Sequence, residues 1–342
     1  MWTEEYLDKL LTTPTEALAE DMAKITGDIM VLGAGGKMGP SLCVLIKNAC
    51  NLAGVDKKIT AVSRFGDPFA VNLLKQHGIE IVSTDLLEPS AVANLPNAKN
   101  IIYMAGRKFG THGQEHLTWA MNAWLPSLVA EKYKDSSIVV FSTGNVYPMN
   151  VPRDGGADET AKLGPIGEYA MSCLARERVF EYASHTYKTP ICLFRLGYAV
   201  DLRYGVLYDI AKNIAAGEPV VITTPVFNCI WQGSANEIAI RCLTICESPA
   251  NPLNVSGPET VSVKWAAREL GKYLNKEPVI EVSAEDAAND RAYIFDTTKM
   301  ASIFGYPSVS VKTLIQWQAE WLLSGGRVLD KPTHFEERGG KY

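Results

Sequence analysis

The stretch that decides the fold is Asp28-Ile-Met-Val-Leu-Gly-Ala-Gly-Gly-Lys-Met-Gly39, in which a short apolar run leads into a cluster of glycines. Residues 42–49 then repeat apolar side chains at helical spacing, and a second apolar run follows at Ile59-Thr-Ala-Val62. This order of strand, glycine turn, helix and strand is the context that a dinucleotide-binding fingerprint requires. The stretch therefore predicts a β-α-β unit whose turn faces a phosphate-bearing ligand.

The glycines of this turn have distinct predicted roles. The first permits a tight turn, the middle two let the backbone approach a pyrophosphate, and the last lets the helix pack closely on the strand. The N-terminus of the helix adds unpaired N–H groups and a positive dipole end. The predicted cofactor-binding residues of the turn are Gly33, Gly35, Gly36, Lys37, Met38 and Gly39.

The end of the second strand indicates which dinucleotide is bound. A carboxylate there accepts hydrogen bonds from the adenosine ribose and selects NAD. This chain instead has Ser63 and Arg64, and an arginine can bind a 2′-phosphate. We therefore predict NADP, with NAD as the alternative. Asp85, after the third strand, is predicted either to accept a hydrogen bond from the adenine amino group or to stabilise a turn.

Strand and helix signals alternate along the first two hundred residues. Further apolar runs occur at Ile79–Val82, Ile101–Met104, Ile138–Phe141 and Ile191–Phe194. Continuous apolar strands that alternate with helices predict a parallel sheet covered on both faces. We expect an α/β fold, a doubly wound Rossmann sheet with a small C-terminal α+β substrate lobe.

We predict three parts along the chain. Residues 1–26 form an N-terminal helical extension, because they contain a capping-box pattern with proline at the first helical position. Residues 27–200, with about 226–256, form the NAD(P)-binding Rossmann domain. The remaining residues, about 201–225 and 257–342, form the substrate-binding lobe.

The composition excludes several classes of protein. The 342 residues are 47% hydrophobic and 21% charged, which is typical of a globular protein. The formal charge of -5 gives no basic excess for nucleic acid or an anionic membrane. No apolar run approaches the roughly 20 residues of a membrane helix. The seven scattered cysteines include no CxxC pair, which favours a reducing compartment, so we expect a cytoplasmic protein.

Two further motifs lie after the fifth strand, Phe141-Ser-Thr-Gly-Asn-Val-Tyr-Pro148 and Glu168-Tyr-Ala-Met-Ser-Cys173. With them the chain resembles the extended short-chain dehydrogenase/reductases, the family of nucleotide-sugar epimerases, dehydratases and related NAD(P)-dependent oxidoreductases. The resemblance is also carried by GAGGKMG at 33–39, DL at 85–86, YMAGRKFG at 103–110, Asn122, FRL at 194–196 and LNVSG at 253–257. These motifs are typical of the superfamily and not of one reaction.

The resemblance implies roles for several side chains. Thr143 matches the Ser/Thr that hydrogen-bonds the reacting oxygen, and Tyr169 matches the general acid/base. A phenol can take the hydroxyl proton as hydride leaves the carbon, provided that its pKa falls from about 10 toward neutrality. Lys108 matches a lysine near the cofactor pyrophosphate in some epimerases, and Asn122 matches an asparagine behind the catalytic group. The other implied cofactor contacts are Asp85, Leu86, Met104, Ala105 and Gly106.

One position departs from the pattern of the family. Its tyrosine is normally followed four residues later, on the same helix face, by a lysine that lowers the tyrosine pKa and binds the nicotinamide ribose. That residue is Cys173 here. Another cation, such as Lys108 or Arg176, can supply the field; the tyrosine can work at a high pKa on an activated substrate; or the chain binds cofactor without turnover. We count Cys173 among the catalytic candidates, although free cysteines are more often small buried fillers.

Signals for the substrate are fewer. The candidates are Arg107, Asn145, Tyr198, Arg203, Asn228 and Trp231. Trp231 can stack on a sugar ring or belong to the core, and Arg203 can bind an anion or form a surface ion pair. The spacing of His112 and His116 around Glu115 suits zinc, but the chemistry of nicotinamide needs no metal, so we predict no metal site.

Two functions of different classes remain. The first is an NAD(P)-dependent oxidoreductase or epimerase acting on a sugar or sugar-acid derivative, with Tyr169 as acid/base and Thr143 as donor to the oxyanion. The second is a dinucleotide-binding sensor or subunit without turnover, which the absent lysine allows. The expected partners are a small carbohydrate-type substrate and, from the resemblance, a second copy in a homodimer, with no nucleic acid and no membrane.

Overall fold

The computed structural model describes residues 2–288, 290–329 and 333–340. The helices are α1 (Glu4–Thr12), α2 (Glu16–Lys24), α3 (Gly39–Ala53), α4 (Pro68–Gln76), α5 (Ala91–Asn94), α6 (Glu115–Trp119), α7 (Leu125–Lys132), α8 (Gly167–Tyr187), α9 (Val206–Ala216), α10 (Gln232–Arg241), α11 (Val263–Leu274), α12 (Ala284–Ala288), α13 (Thr298–Phe304) and α14 (Val311–Leu323). The strands are β1 (Ile29–Leu32), β2 (Ile59–Ser63), β3 (Glu80–Ser83), β4 (Asn100–Tyr103), β5 (Ser137–Thr143), β6 (Ile191–Leu196), β7 (Tyr198–Val200), β8 (Val220–Val221), β9 (Val226–Trp231), β10 (Asn251–Val255), β11 (Thr260–Ser262) and β12 (Ile280–Glu281). A π-helical turn (Ala120–Trp124) joins α6 to α7, and 3-10 turns span Gly144–Val146, Pro152–Asp154 and Cys242–Thr244.

Seven strands form one parallel sheet in the order β10-β6-β5-β4-β1-β2-β3. Ile29 at the start of β1 lies opposite Ile59 of β2 on one side and Asn100 of β4 on the other. The strand order therefore reverses between β1 and β4, and such a reversal opens a ligand crevice at the carboxyl ends of the strands. This arrangement confirms the predicted α/β fold with a doubly wound Rossmann sheet.

Apolar side chains fill both faces of this sheet. In β1, Val31 packs in the cluster that includes Leu42 of α3, whereas Met30 packs in the opposite cluster with Leu125 of α7 and Phe180 of α8. Alternate residues of a strand point to opposite faces, so a strand that is covered on both faces needs apolar residues throughout. This requirement explains the uninterrupted apolar runs of the sequence.

The N-terminal helices pack on two different cores. Leu18 and Met22 of α2 join the core of the seven-stranded sheet. Leu7 and Leu11 of α1 join a second core, which α9, α11 and α14 form with the three-stranded sheet β11-β9-β7. The N-terminal extension is thus part of the packing of its own chain. None of the helices in the described ranges is both long and apolar enough to span a membrane.

Candidate active site

A cavity of about 320 Å³ opens beside the carboxyl ends of β1, β4 and β5. The fold positions the glycine turn after β1, the 104–110 loop after β4 and Thr143 at the end of β5 around it. Tyr169 reaches the same cavity from the first turn of α8. The predicted site residues that line it are Gly33, Gly36, Lys37, Met38, Gly39, Met104, Gly106, Arg107, Lys108, Thr143, Asn145, Tyr169 and Tyr198.

The first and last glycines of the turn are packed too closely to carry a side chain. Gly33 has a φ of +91°, and a Cβ there would lie 2.5 Å from the backbone nitrogen of Ala105. A Cβ at Gly39 would lie 2.3 Å from the carbonyl oxygen of Ala34. Gly39 is the first residue of α3 and lines the cavity, so the N-terminus of this helix borders the space where an anion would be stabilised.

The predicted adenosine contacts lie beside this turn and outside the cavity lining. Arg64 Nη1 lies 3.5 Å from Asp85 Oδ2, with the arginine exposed and the aspartate half-buried. The Ser63 hydroxyl lies next to the turn, because a Cβ at Gly35 would be 2.6 Å from it. The remaining two adenosine-side candidates are buried in the sheet core, namely Leu86 and Ala105. Arg64 and Asp85, which the sequence treats separately, therefore form one ion pair.

Tyr169 and Thr143 are in direct contact. The Tyr169 hydroxyl hydrogen-bonds both Thr143 and the thiol of Cys173. Thr143 Oγ1 donates to Asn145 Oδ1 at 3.0 Å and accepts from the Asn145 backbone N–H at 3.2 Å. Burial raises the pKa of Tyr169 well above its usual value, whereas the charge of Arg176 and the hydrogen bond to Thr143 lower it. This geometry allows a proton to transfer between the Tyr169 phenol and a ligand oxygen that is bound at Thr143.

Cys173 lies one helical turn after Tyr169 and is fully buried. Burial raises the pKa of its thiol, and the opposing effects of Arg176 and Tyr169 are smaller. The thiol is therefore neutral at physiological pH. A neutral neighbour gives the phenol a hydrogen-bond partner but no positive charge.

Arg176 lies behind this pair and is 5% exposed. Its Nη1 donates to the carbonyl oxygen of Phe141 and its Nη2 donates to Asn122 Oδ1, both at 2.7 Å. Its Nε is enclosed and has no hydrogen-bond partner among the described residues. Because Arg176 also lines the cavity, this unsatisfied donor is one that a bound ligand can satisfy.

Asn122 connects the loop after β4 to α8. It lies in the π-helical turn, a feature that is frequent at functional sites. Its Oδ1 accepts from the Arg107 backbone N–H at 2.8 Å as well as from Arg176, and its Nδ2 donates to the Arg107 carbonyl oxygen and to Ser172 Oγ. Asn122 thus fixes the guanidinium of Arg176 rather than contacting the cavity itself.

Two lysines also line the cavity. Lys37 Nζ lies 4.2 Å from the ring centroid of Tyr204. Lys108 Nζ lies 5.6 Å from the ring centroid of Tyr169 and donates to the carbonyl oxygen of Thr333 at 3.3 Å. Desolvation lowers the pKa of Lys108 to about 8. Both ammonium groups lie over aromatic rings, where an incoming anion meets positive charge.

The structure separates the six substrate candidates into two groups. Arg107, Asn145 and Tyr198 line the cavity, whereas Arg203, Asn228 and Trp231 lie outside its lining. The guanidinium of Arg203 is held by the carboxylates of Glu4, Asp8 and Asp201. Trp231 is buried in the second core with its ring edge-on to Trp317, the centroids being 5.6 Å apart.

Phe295 also lines the cavity, and no motif predicts it. Its ring lies so close to the ends of β5 and β6 that a Cβ at Gly144 would be 2.0 Å from it, and one at Gly197 would be 2.9 Å from it. Asn228 donates to its carbonyl oxygen at 2.9 Å. In the sequence, Gly144 and Gly197 were the available signal for this contact, but a glycine indicates only that some group packs closely and not which one. Other lining residues outside the quoted motifs include Tyr204, Tyr293 and Thr333.

Glu115, the acidic residue between His112 and His116, has a local structural role. Glu115 Oε1 accepts a hydrogen bond from the backbone N–H of Gly113 at 2.8 Å. Within the described ranges, no three His, Cys, Asp or Glu side chains are grouped so that they could hold a metal ion.

Comparisons with known proteins identify a family and several similar folds. A family model described as the NAD dependent epimerase/dehydratase family matches residues 29–225, more than half of the chain. A search of curated proteins found no significant match.

Solved structures similar to this chain include three complexes. UDP-glucuronic acid 4-epimerase from Bacillus cereus with NAD is 16% identical, with 87% of this chain and 99% of that chain covered and a TM-score of 0.69. UDP-glucose 4-epimerase from Thermus thermophilus with NAD is 16% identical, with 86% and 98% covered and a TM-score of 0.69. MoeE5 with UDP-glucose and NAD is 18% identical, with 87% and 99% covered and a TM-score of 0.71. At these identities the likeness establishes the fold.

Proposed function

The chain belongs to the NAD-dependent epimerase/dehydratase family, and from this membership we propose that it is an NAD(P)-dependent oxidoreductase or epimerase acting on a sugar or sugar-acid derivative. One observation carries the proposal: a single cavity joins the glycine turn to the hydrogen-bonded pair Tyr169 and Thr143. The solved structures similar to the chain include epimerases of UDP-glucose and UDP-glucuronic acid with NAD, which supports a sugar as the reacting group.

The residues around the cavity fit a dinucleotide. Gly33 and Gly39 leave the start of α3 open to an anion, and the unpaired Nε of Arg176 offers a buried donor. We infer that the glycine turn holds the pyrophosphate, with Lys37 and Lys108 contributing positive charge. When bound, the nicotinamide ring accepts or returns a hydride.

Tyr169 handles the proton in the proposed reaction. In the oxidative direction its phenolate takes the hydroxyl proton of the substrate, and in the reductive direction the phenol returns it. The Thr143 hydroxyl, which accepts from the Asn145 backbone N–H, turns its single proton from Asn145 Oδ1 to the substrate oxygen as negative charge develops there. Cys173, at the position where the resemblance implies a lysine, hydrogen-bonds the phenol without charging it.

A dinucleotide-binding protein without turnover is the second candidate. The raised pKa of Tyr169 and the neutral thiol of Cys173 favour it, because both oppose formation of a phenolate. Stopped-flow absorbance of reduced nicotinamide, with panels of aldoses, uronic acids, aldonic acids and UDP-sugars, separates the two functions. Hydride transfer from any of these compounds supports the enzyme, whereas tight dinucleotide binding without transfer supports the second candidate.

Substitution of Arg64 by alanine tests the cofactor preference. We expect Arg64→Ala to weaken NADP binding about tenfold or more and to leave NAD binding unchanged, because only NADP carries the 2′-phosphate that a guanidinium recognises. Calorimetric titration with both dinucleotides measures the effect, and Arg153→Ala, an exposed arginine outside the cavity lining, is the control. Equal NADP affinities in the wild type and the variant would leave NAD as the cofactor. A wild-type protein that binds neither would contradict the proposed function.

The affinity for the dinucleotide should depend on pH through Lys108. The pyrophosphate favours the charged ammonium, so this contribution is present below about pH 8 and is lost as the pH rises through that value. We expect affinity to fall by up to about tenfold per pH unit above it. Lys108→Met should bind more weakly at neutral pH and show no such fall, whereas the exposed Lys134→Met should behave as the wild type. Fluorescence titrations that give a flat wild-type profile would exclude this role.

A further inference from the structure

Arg176 is a buried cation that forms no ion pair with a described carboxylate. Its hydrogen-bond acceptors are the Phe141 carbonyl oxygen and Asn122 Oδ1, and its guanidinium carbon lies 5.7 Å from the ring centroid of Tyr103. We propose that Arg176 supplies the positive charge that acts on Tyr169 where the family pattern has a lysine, and that its Nε–H binds the dinucleotide. This inference rests on the proposed function and deepens it.

The reach of the arginine side chain makes this role possible. Arg176 follows Tyr169 by seven residues, so their Cα atoms are about 10 Å apart along the helix axis. Long side chains in helices point back toward the N-terminus, which brings the guanidinium toward the first turn of α8. The charge of Arg176 acts on both Tyr169 and Cys173, lowering the pKa of each against the effect of burial.

The surroundings are shaped to hold the guanidinium in one place. A Cβ at Gly106 would lie 2.7 Å from Nη2 of Arg176 and 3.2 Å from Asn122 Oδ1, so a larger residue there would displace the guanidinium. Asn122 is itself fixed by four hydrogen bonds. A charge that is held rigidly and desolvated acts more strongly on a neighbour than a charge on a mobile surface chain.

The other titratable groups near the phenol favour Arg176 over the alternative cation. Cys173 faces Tyr169 from the same helix and is neutral, and Lys108 faces it from the loop after β4. Lys108 loses its charge at about pH 8, whereas a guanidinium keeps its charge throughout the range in which a tyrosine titrates. Glu177, the acidic neighbour on α8, also acts on the charge of Arg176, but its ion pair is with Arg195 at 2.8 Å.

The protonation of Tyr169 tests the charge directly and needs no substrate. Tyrosines labelled with carbon-13 at Cζ report ionisation by NMR, and Tyr169→Phe assigns the signal. Because burial raises the pKa of Tyr169 well above its usual value, each titration is followed to the highest pH at which the protein stays folded. We expect phenolate formation to begin at least about one pH unit later in Arg176→Met, and Cys173→Lys in the Arg176→Met background to reverse that delay. Arg178→Met, which removes an exposed arginine of the same helix, should leave the signal unchanged. An unchanged pKa in folded Arg176→Met would overturn the proposal.

Binding provides the second readout. Arg176→Met should bind the preferred dinucleotide at least about tenfold more weakly, from loss of a charged donor. If Arg176→Met fails to fold, Arg176→Lys provides the test. Unchanged ionisation of Tyr169 with weakened dinucleotide binding supports the proposal. A rise of a full unit in the pKa of Tyr169 contradicts it. If the wild-type protein binds no dinucleotide, the proposed function and the dinucleotide contact of Arg176 are both excluded. The NMR titration still tests whether the charge of Arg176 acts on Tyr169.

Discussion

Glu177→Gln is expected to lower the free energy of unfolding by about 3–5 kcal/mol, because it breaks a fully buried ion pair from one side. Glu177 is 0% exposed and accepts from Arg195 Nε at 3.0 Å and from Nη2 at 2.8 Å. It also accepts a hydrogen bond from Ser142 Oγ, and Arg195 donates to the Tyr147 hydroxyl at 2.7 Å. The amide keeps some of these contacts but leaves the guanidinium charged in the core without a counter-charge.

Urea unfolding measures this loss, with Glu181→Gln as the matched control. Glu181 pairs with Arg178 on the exposed side of the same helix, where removal of an ion pair costs at most about 1 kcal/mol. Joint replacement of Glu177 and Arg195 by methionine should recover much of the stability, because apolar residues of similar volume remove both desolvated charges. A loss below about 1 kcal/mol in Glu177→Gln would show that the amide satisfies the arginine.

The parts of the site that the sequence predicted are those set by backbone topology. The glycine turn follows β1 and Thr143 ends β5, and parallel strands bring these ends to one edge of the sheet. Tyr169 joins them because α8 packs on the sheet with its first turn at that edge. Short-range patterns specify all three elements, so no knowledge of distant side chains was needed.

The parts that escaped prediction depend on contacts between residues far apart in the chain. Arg203 was a candidate anion site until the fold brought the carboxylates of α1 to it from nearly two hundred residues away. Phe295 enters the site through a loop without regular periodicity, and its close approach to Gly144 and Gly197 identifies it. Arg176 was one of several possible cations, and its environment distinguishes it, since the same residue type on a helix surface is usually solvated.

Tyr169→Phe is expected to slow hydride transfer by about 10²–10⁴-fold, because it removes the only atom of this side chain that can exchange a proton with the substrate. The ring remains, so the contact with Lys108 and the affinity for the dinucleotide should be preserved. Thr143 keeps the hydrogen bond that it accepts from the Asn145 backbone N–H, so its hydroxyl should remain placed to donate to the substrate oxygen. The loss should therefore fall on the chemical step rather than on binding.

Single-turnover absorbance of reduced nicotinamide, with whichever sugar or sugar acid supports transfer in the wild type, measures this loss. Tyr187→Phe is the control, since Tyr187 is exposed at the far end of the same helix. Transfer by Tyr169→Phe at the wild-type rate would exclude the phenol as acid/base and would move the proton to another group at the cavity. Loss of the proton-carrying hydroxyl predicts a slow rate that does not change with pH, together with intact dinucleotide binding. The reason is that the charge of Arg176 then has no phenol on which to act.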